Sequence, residues 1–146
     1  MTTARNVALQ FLCKAEPDIG DTISNLKLQK LVYFAQGYYL AMYDKPLFED
    51  PIHAWQHGPV VESLYHEFKK FGSNSIEIPD DCSDCMNDGI GEAEKELINE
   101  IHEVYGQYSA WKLRNLTHSE GPWTETEINH IIPIDKMRDF FKGYLV

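Results

Sequence analysis

Between Leu26 and Tyr43 the chain places apolar side chains on nearly every face of a helix: Leu28, Leu31, Val32, Tyr33, Phe34, Ala35, Tyr38, Tyr39, Leu40 and Met42. A helix that is apolar all round is covered by neighbours on several sides. The fold therefore has to be built around this segment. Gly37, in its middle, costs about 1 kcal/mol of helix propensity against alanine, and predicts the close approach of another element. Tyr33, Tyr38, Tyr39 and Tyr43 share the helix, and each buried hydroxyl among them needs a partner.

The remaining periodicities supply the neighbours. Ala4, Val7, Ala8, Phe11, Leu12 and Ala15 recur at helical spacing and predict a helix over 3–15, ended by Pro17 and Gly20. The runs 47–49 and 52–56 read as two short strands. Gly58-Pro59 reads as the start of a third helix, with Pro59 at its first position; Val60, Val61, Leu64, Tyr65 and Phe68 line its inner face and Gly72 stops it. Residues 73–91 read as loop, and 92–107 as a helix with Leu97, Ile98, Ile101, Val104 and Tyr105 inward. Ser109 caps a further helix carrying Trp111, Leu113 and Leu116. Thr124-x-x-Glu127 reads as a capping box for a short turn, and Asp135 as the cap of a last helix. The expected fold class is mainly α: one domain over residues 1–146, a bundle of about five to seven helices with a small β-hairpin between helices two and three.

The net charge is -10, and it is concentrated. Glu77, Asp80, Asp81, Asp84, Asp88, Glu92, Glu94, Glu96, Glu100 and Glu103 fall in residues 77–103 with Lys95 as the only base, so this segment carries nearly all of the excess. Such a segment repels nucleic acid; it reads as a solvated loop and helix face, or as an electrostatic contact for a basic partner. Lys27/Lys30 and Lys69-Lys70 are only local basic pairs, which argues against a nucleic-acid partner. No run reaches the roughly 18 consecutive apolar residues of a membrane helix, and no apolar signal stretch follows Met1. The expected location is the cytoplasm, with no membrane partner. Cys82 and Cys85 form a lone C-x-x-C among aspartates, which would raise a thiol pKa. They read as exposed loop cysteines; the alternative is a metal or redox site with His102 as a further ligand.

No phosphate loop, dinucleotide fingerprint, nucleophile elbow or H-E-x-x-H is present, so no catalytic residue, metal or cofactor is expected. Three segments stand out instead: Leu28-Gln29-Lys30-Leu31 running into Tyr33, Ala54-Trp55-Gln56-His57-Gly58-Pro59-Val60, and Thr117-His118-Ser119-Glu120-Gly121-Pro122-Trp123. A His–carboxylate pair can orient an imidazole for base catalysis. A small hydrolase or metal enzyme would thus need His57, His118 and Glu120 to converge.

Together, these three segments resemble the Panacea domain, the family of SocA-type antitoxins and phage-associated GepA-like proteins. The likeness runs from about residue 4 to 142 in matching order. It implies a helical fold with a small β element and a bacterial or prophage-borne antitoxin that neutralises a cognate toxin by direct protein–protein binding. A SocA-type member can alternatively act as an adaptor handing its toxin to an ATP-dependent AAA+ protease. The motif residues carried over are Gln29, Lys30, Tyr33, Trp55, His57, Gly58, Pro59, Val60, Thr117, His118, Glu120, Pro122 and Trp123. Of these, Gly58-Pro59 and Pro122-Trp123 read as scaffold. Gln29, Lys30, Tyr33, His57 and His118 are the first choices for a polar and aromatic contact surface.

Overall fold

The computed structural model describes residues 1–16, 22–80, 82 and 89–145. In chain order the elements are α1 (Ala4–Lys14), α2 (Asn25–Tyr43), β1 (His53–Trp55), β2 (Gly58–Val60), α3 (Glu62–Phe68), α4 (Glu92–Tyr105), α5 (Ala110–His118), α6 (Gly121–Thr124) and α7 (Ile134–Lys142). The all-round apolar helix is the axis of this arrangement: α2 packs against α1, α3, α4, α5, α7 and β2. Ser24 caps it, its hydroxyl accepting from the Lys27 amide, and Asp44 ends it in the left-handed conformation (φ 56). Gly37 faces α7, and any Cβ there would collide with the ring of Phe141. The close approach expected at this glycine is therefore an aromatic side chain seated on bare backbone.

Phe34, Tyr105, Phe141, Tyr33 and Tyr38 form one aromatic cluster around that contact, with Phe34 stacked on Tyr105 at 4.1 Å and Tyr33 edge-on to Phe141 at 5.5 Å. The Tyr38 and Tyr105 hydroxyls are 2.8 Å apart and bonded to each other. The cap expected at Ser109 is met, its hydroxyl accepting from the Lys112 amide at the start of α5, and Thr3 caps α1. Gly72 stops the 3-10 turn that follows α3, with φ 59.

Several expectations are corrected. Residues 47–49 form no strand, because the Gln36 side chain takes the place of a strand partner: its Oε1 accepts from the Leu47 amide at 2.7 Å and its Nε2 donates to the Phe48 carbonyl at 2.9 Å. The hairpin is instead 53–55 against 58–60, with Ala54 opposite Pro59. Pro59 thus lies in a strand, and α3 starts three residues later at Glu62. The strand tolerates it because Ala54 spends both backbone groups on the other side, donating to the His130 carbonyl and accepting from the Asn129 amide. Thr124 closes α6 rather than capping a turn, and Pro133, not Asp135, stands at the cap of α7. Cys82 is not an unpaired loop thiol: it forms a disulfide with Cys13, across 69 residues of chain. Cys85, Asp81, Asp84, Asp88, Pro17 and Gly20 lie outside the described residues. Among the described residues, no helix is long and apolar enough to cross a membrane.

Candidate functional site

The three motif segments meet around the hairpin, and most of their side chains are spent inside it. Gln29, Lys30 and Tyr33 on α2 are buried, with at most 1% exposure. They correct the expectation of a polar surface on this helix. Gln29 ties α2 to the start of α3: its Oε1 accepts from the Val61 amide at 2.9 Å, its Nε2 donates to Asn25, and Asn25 donates to the Tyr65 carbonyl. Lys30 runs under the hairpin and donates to the Pro59 carbonyl at 3.2 Å. Burial, reinforced by the charge of Arg114, lowers its pKa to about 7.

Gly58 is the point where this joint closes. Its φ of 113 is a conformation that side chains rarely adopt, and a Cβ would come within 2.6 Å of Lys30 Cε and 2.9 Å of Thr117 Oγ1. Thr117, fully buried on α5, donates to the Arg114 carbonyl at 2.8 Å. Pro122 opens α6 inside the fold. Trp123 donates its indole N–H to the Trp55 carbonyl at 2.7 Å and stacks on His118 at 4.0 Å, fixing α6 to the hairpin.

Glu120 turns the other way. One carboxylate oxygen accepts from the Tyr144 hydroxyl at 2.9 Å; the other, like the Tyr33 hydroxyl, is buried without a partner among the described residues. Burial raises its pKa to about 7, with the Tyr144 bond working against that shift. Among the described residues, no hydrogen bond or ion pair joins Glu120 to His57 or His118. Burial and the Arg114 charge hold the His118 pKa below the usual imidazole value. Among the described residues, no group of three or more metal-ligating side chains is assembled.

What remains at the surface is a rim around the hairpin turn. Trp55 packs edge-on to Tyr65 at 4.8 Å, and the two help line a groove of about 610 Å³ together with Leu26, Val60, His57 and Ile128. A larger cavity of about 710 Å³, lined by Ser24, Ser73, Ser75 and Ser109, contains no motif residue. Beside the groove, Arg114 donates from Nε to His57 Nδ1 at 3.1 Å and lies 4.4 Å over the ring of Trp111, which is 58% exposed. Arg114 and Trp111 were not singled out as surface residues from the sequence. The available signal was spacing: Trp111, Arg114 and His118 lie three and four residues apart, on one helix face.

The family model "Antitoxin SocA-like, Panacea domain" matches residues 28–124, from the first motif to just past the third. The chain belongs to this family. Antitoxin SocA of Caulobacter vibrioides (strain NA1000 / CB15N) is 35% identical over 128 residues, covering 82% of this chain and 68% of that protein. No solved structure matches the chain.

Proposed function

We propose that this protein is an antitoxin that neutralises a cognate toxin by direct contact, without catalysis, in the cytoplasm. Family membership and the SocA relative support the antitoxin role in general. The observation that carries the contact surface is the array of Trp111, Arg114 and His57 at the mouth of the Trp55–Tyr65 groove. Exposed Trp and Arg beside a pocket are the residue types that dominate binding energy at interfaces. In this reading Gln29, Lys30, Tyr33, Gly58, Pro59, Thr117 and Pro122 hold the hairpin in place. Trp55, His57, Val60, His118 and Trp123 shape the surface that it presents.

The test is co-expression of tagged protein with the product of the adjacent gene, alongside a growth assay of that product alone. The expected result is a toxic neighbour that co-purifies and is silenced. A toxic neighbour that never binds contradicts the reading. The toxin's half-life in cells separates masking from delivery to a AAA+ protease: masking predicts an unchanged half-life. Cytoplasmic thiol pools keep most disulfides reduced, so neutralisation is expected to persist in Cys13→Ser.

A further inference from the structure

Three cations away from the hairpin pair with carboxylates: Arg5 with Glu67 at 3.1 Å, Lys142 with Asp44 at 3.0 Å and Arg138 with Asp139 at 3.2 Å. Others find neutral partners, as Lys136 does at the Glu125 carbonyl and Lys112 over the Tyr108 ring. The cations at the hairpin belong to this second kind. Arg114 is held by the side-chain acceptors of His57 and Asn115 and by the face of Trp111. Lys30 donates only to a carbonyl, and Lys69, at the groove, has no carboxylate partner among the described residues. The groove lining includes no Asp or Glu. The Arg114 charge adds to burial in lowering the pKa of both Lys30 and His118.

We infer that this surface takes an acidic segment of the toxin: a carboxylate seated against Arg114, with the apolar residue beside it entering the groove between Trp55 and Tyr65. The inference rests on the antitoxin reading and specifies the chemistry of the partner. A guanidinium already oriented by Trp111 and His57 has donors left over for a carboxylate, and planar Arg–carboxylate pairing is strong and directional. Stacking against an aromatic face lowers the entropy cost of that pairing. The groove then supplies the apolar anchor that a rim charge alone lacks. The acidic residues of α4 would repel the same segment, which orients its approach.

The experiment uses the full chain and the purified product of the adjacent gene, with binding measured by calorimetry and neutralisation by growth. Arg114→Glu, Arg114→Gln and Lys69→Glu are compared with wild type, each first checked for an unchanged melting temperature. A change at one rim charge pair is expected to weaken binding about tenfold or more for Arg114→Glu and less for Arg114→Gln, with the wild-type affinity falling as salt rises. An Asp→Lys or Glu→Lys substitution in the toxin that restores binding to Arg114→Glu, and weakens it to wild type, supports the pairing. Wild-type neutralisation that survives Arg114→Glu and Lys69→Glu undiminished overturns the inference and leaves the antitoxin reading standing. Self-association of the chain that is lost in Arg114→Glu, with toxin binding unaffected, overturns it in favour of a second copy. A wild-type chain that binds no toxic neighbour overturns both.

Discussion

Gly58 and His57 are neighbours in sequence and opposites in environment. Gly58 is packed between Lys30 and Thr117 with no room for a side chain, whereas His57 is exposed and accepts a hydrogen bond from Arg114. The same division runs through the whole motif set. On the inner side Gln29, Lys30 and Thr117 are spent on backbone groups of α3, the hairpin and α5, and on the outer side Arg114 has donors left over. Motif spelling thus marks mainly the joint, while the proposed contact is completed by Arg114 and Trp111, which lie between the motifs.

This contrast breaks most visibly at Gly58. Gly58→Ala is expected to cost about 3 kcal/mol or more, from a disfavoured φ and a buried overlap; thermal or denaturant unfolding measures it, and a change below 1 kcal/mol would refute the joint. Next come the two buried charges. Lys30 is held at about 7 against 10.5 in the unfolded chain, so between those values only the unfolded chain carries the proton and stability rises with pH. Glu120 is held at about 7 against 4.5, so between those values the folded chain keeps the proton and stability falls as pH rises. Their joint contribution is lowest near pH 7, each limb being on the order of a few kcal/mol. Lys30→Met is expected to flatten the alkaline limb and Glu120→Gln the acid limb of a stability–pH profile.

The outer residues predict the reverse pattern of effects. Trp111→Ala should weaken toxin binding by about 2 kcal/mol, as a hot-spot aromatic does, while stability moves by less than about 0.5 kcal/mol. A stability loss with binding intact would move Trp111 to the inner set. The smallest effect is expected of Trp123→Phe, which removes the 2.7 Å bond to the Trp55 carbonyl. It should cost about 1 kcal/mol of stability and loosen the turn that carries His57, readable as faster amide exchange at Gln56 and His57.

Much of the frame was legible because it depends on local pattern. The all-round apolar run placed α2 at the centre, and Gly37 announced a close contact without naming Phe141. The misreadings have one physical source. Helical periodicity and turn chemistry do not register partners brought from far along the chain. Pro59 sits in a strand because residues 129–132 occupy the other side of β1. Gln29 and Lys30 are interior because the Val61 amide and the Pro59 carbonyl receive their polar ends. The cysteine pairing spans 69 residues and leaves no trace in local spacing. For the candidate site, the motif residues were named in advance, but which of them face solvent was not.

The most direct test of the account is amide hydrogen exchange on the free protein and on its complex with the toxin. Protection on binding is predicted at the hairpin turn around residues 55–58 and along α5 from Trp111 to Arg114, with α4 unchanged. Protection confined to the acidic face of α4, with the hairpin and α5 exchanging as in the free protein, would contradict it.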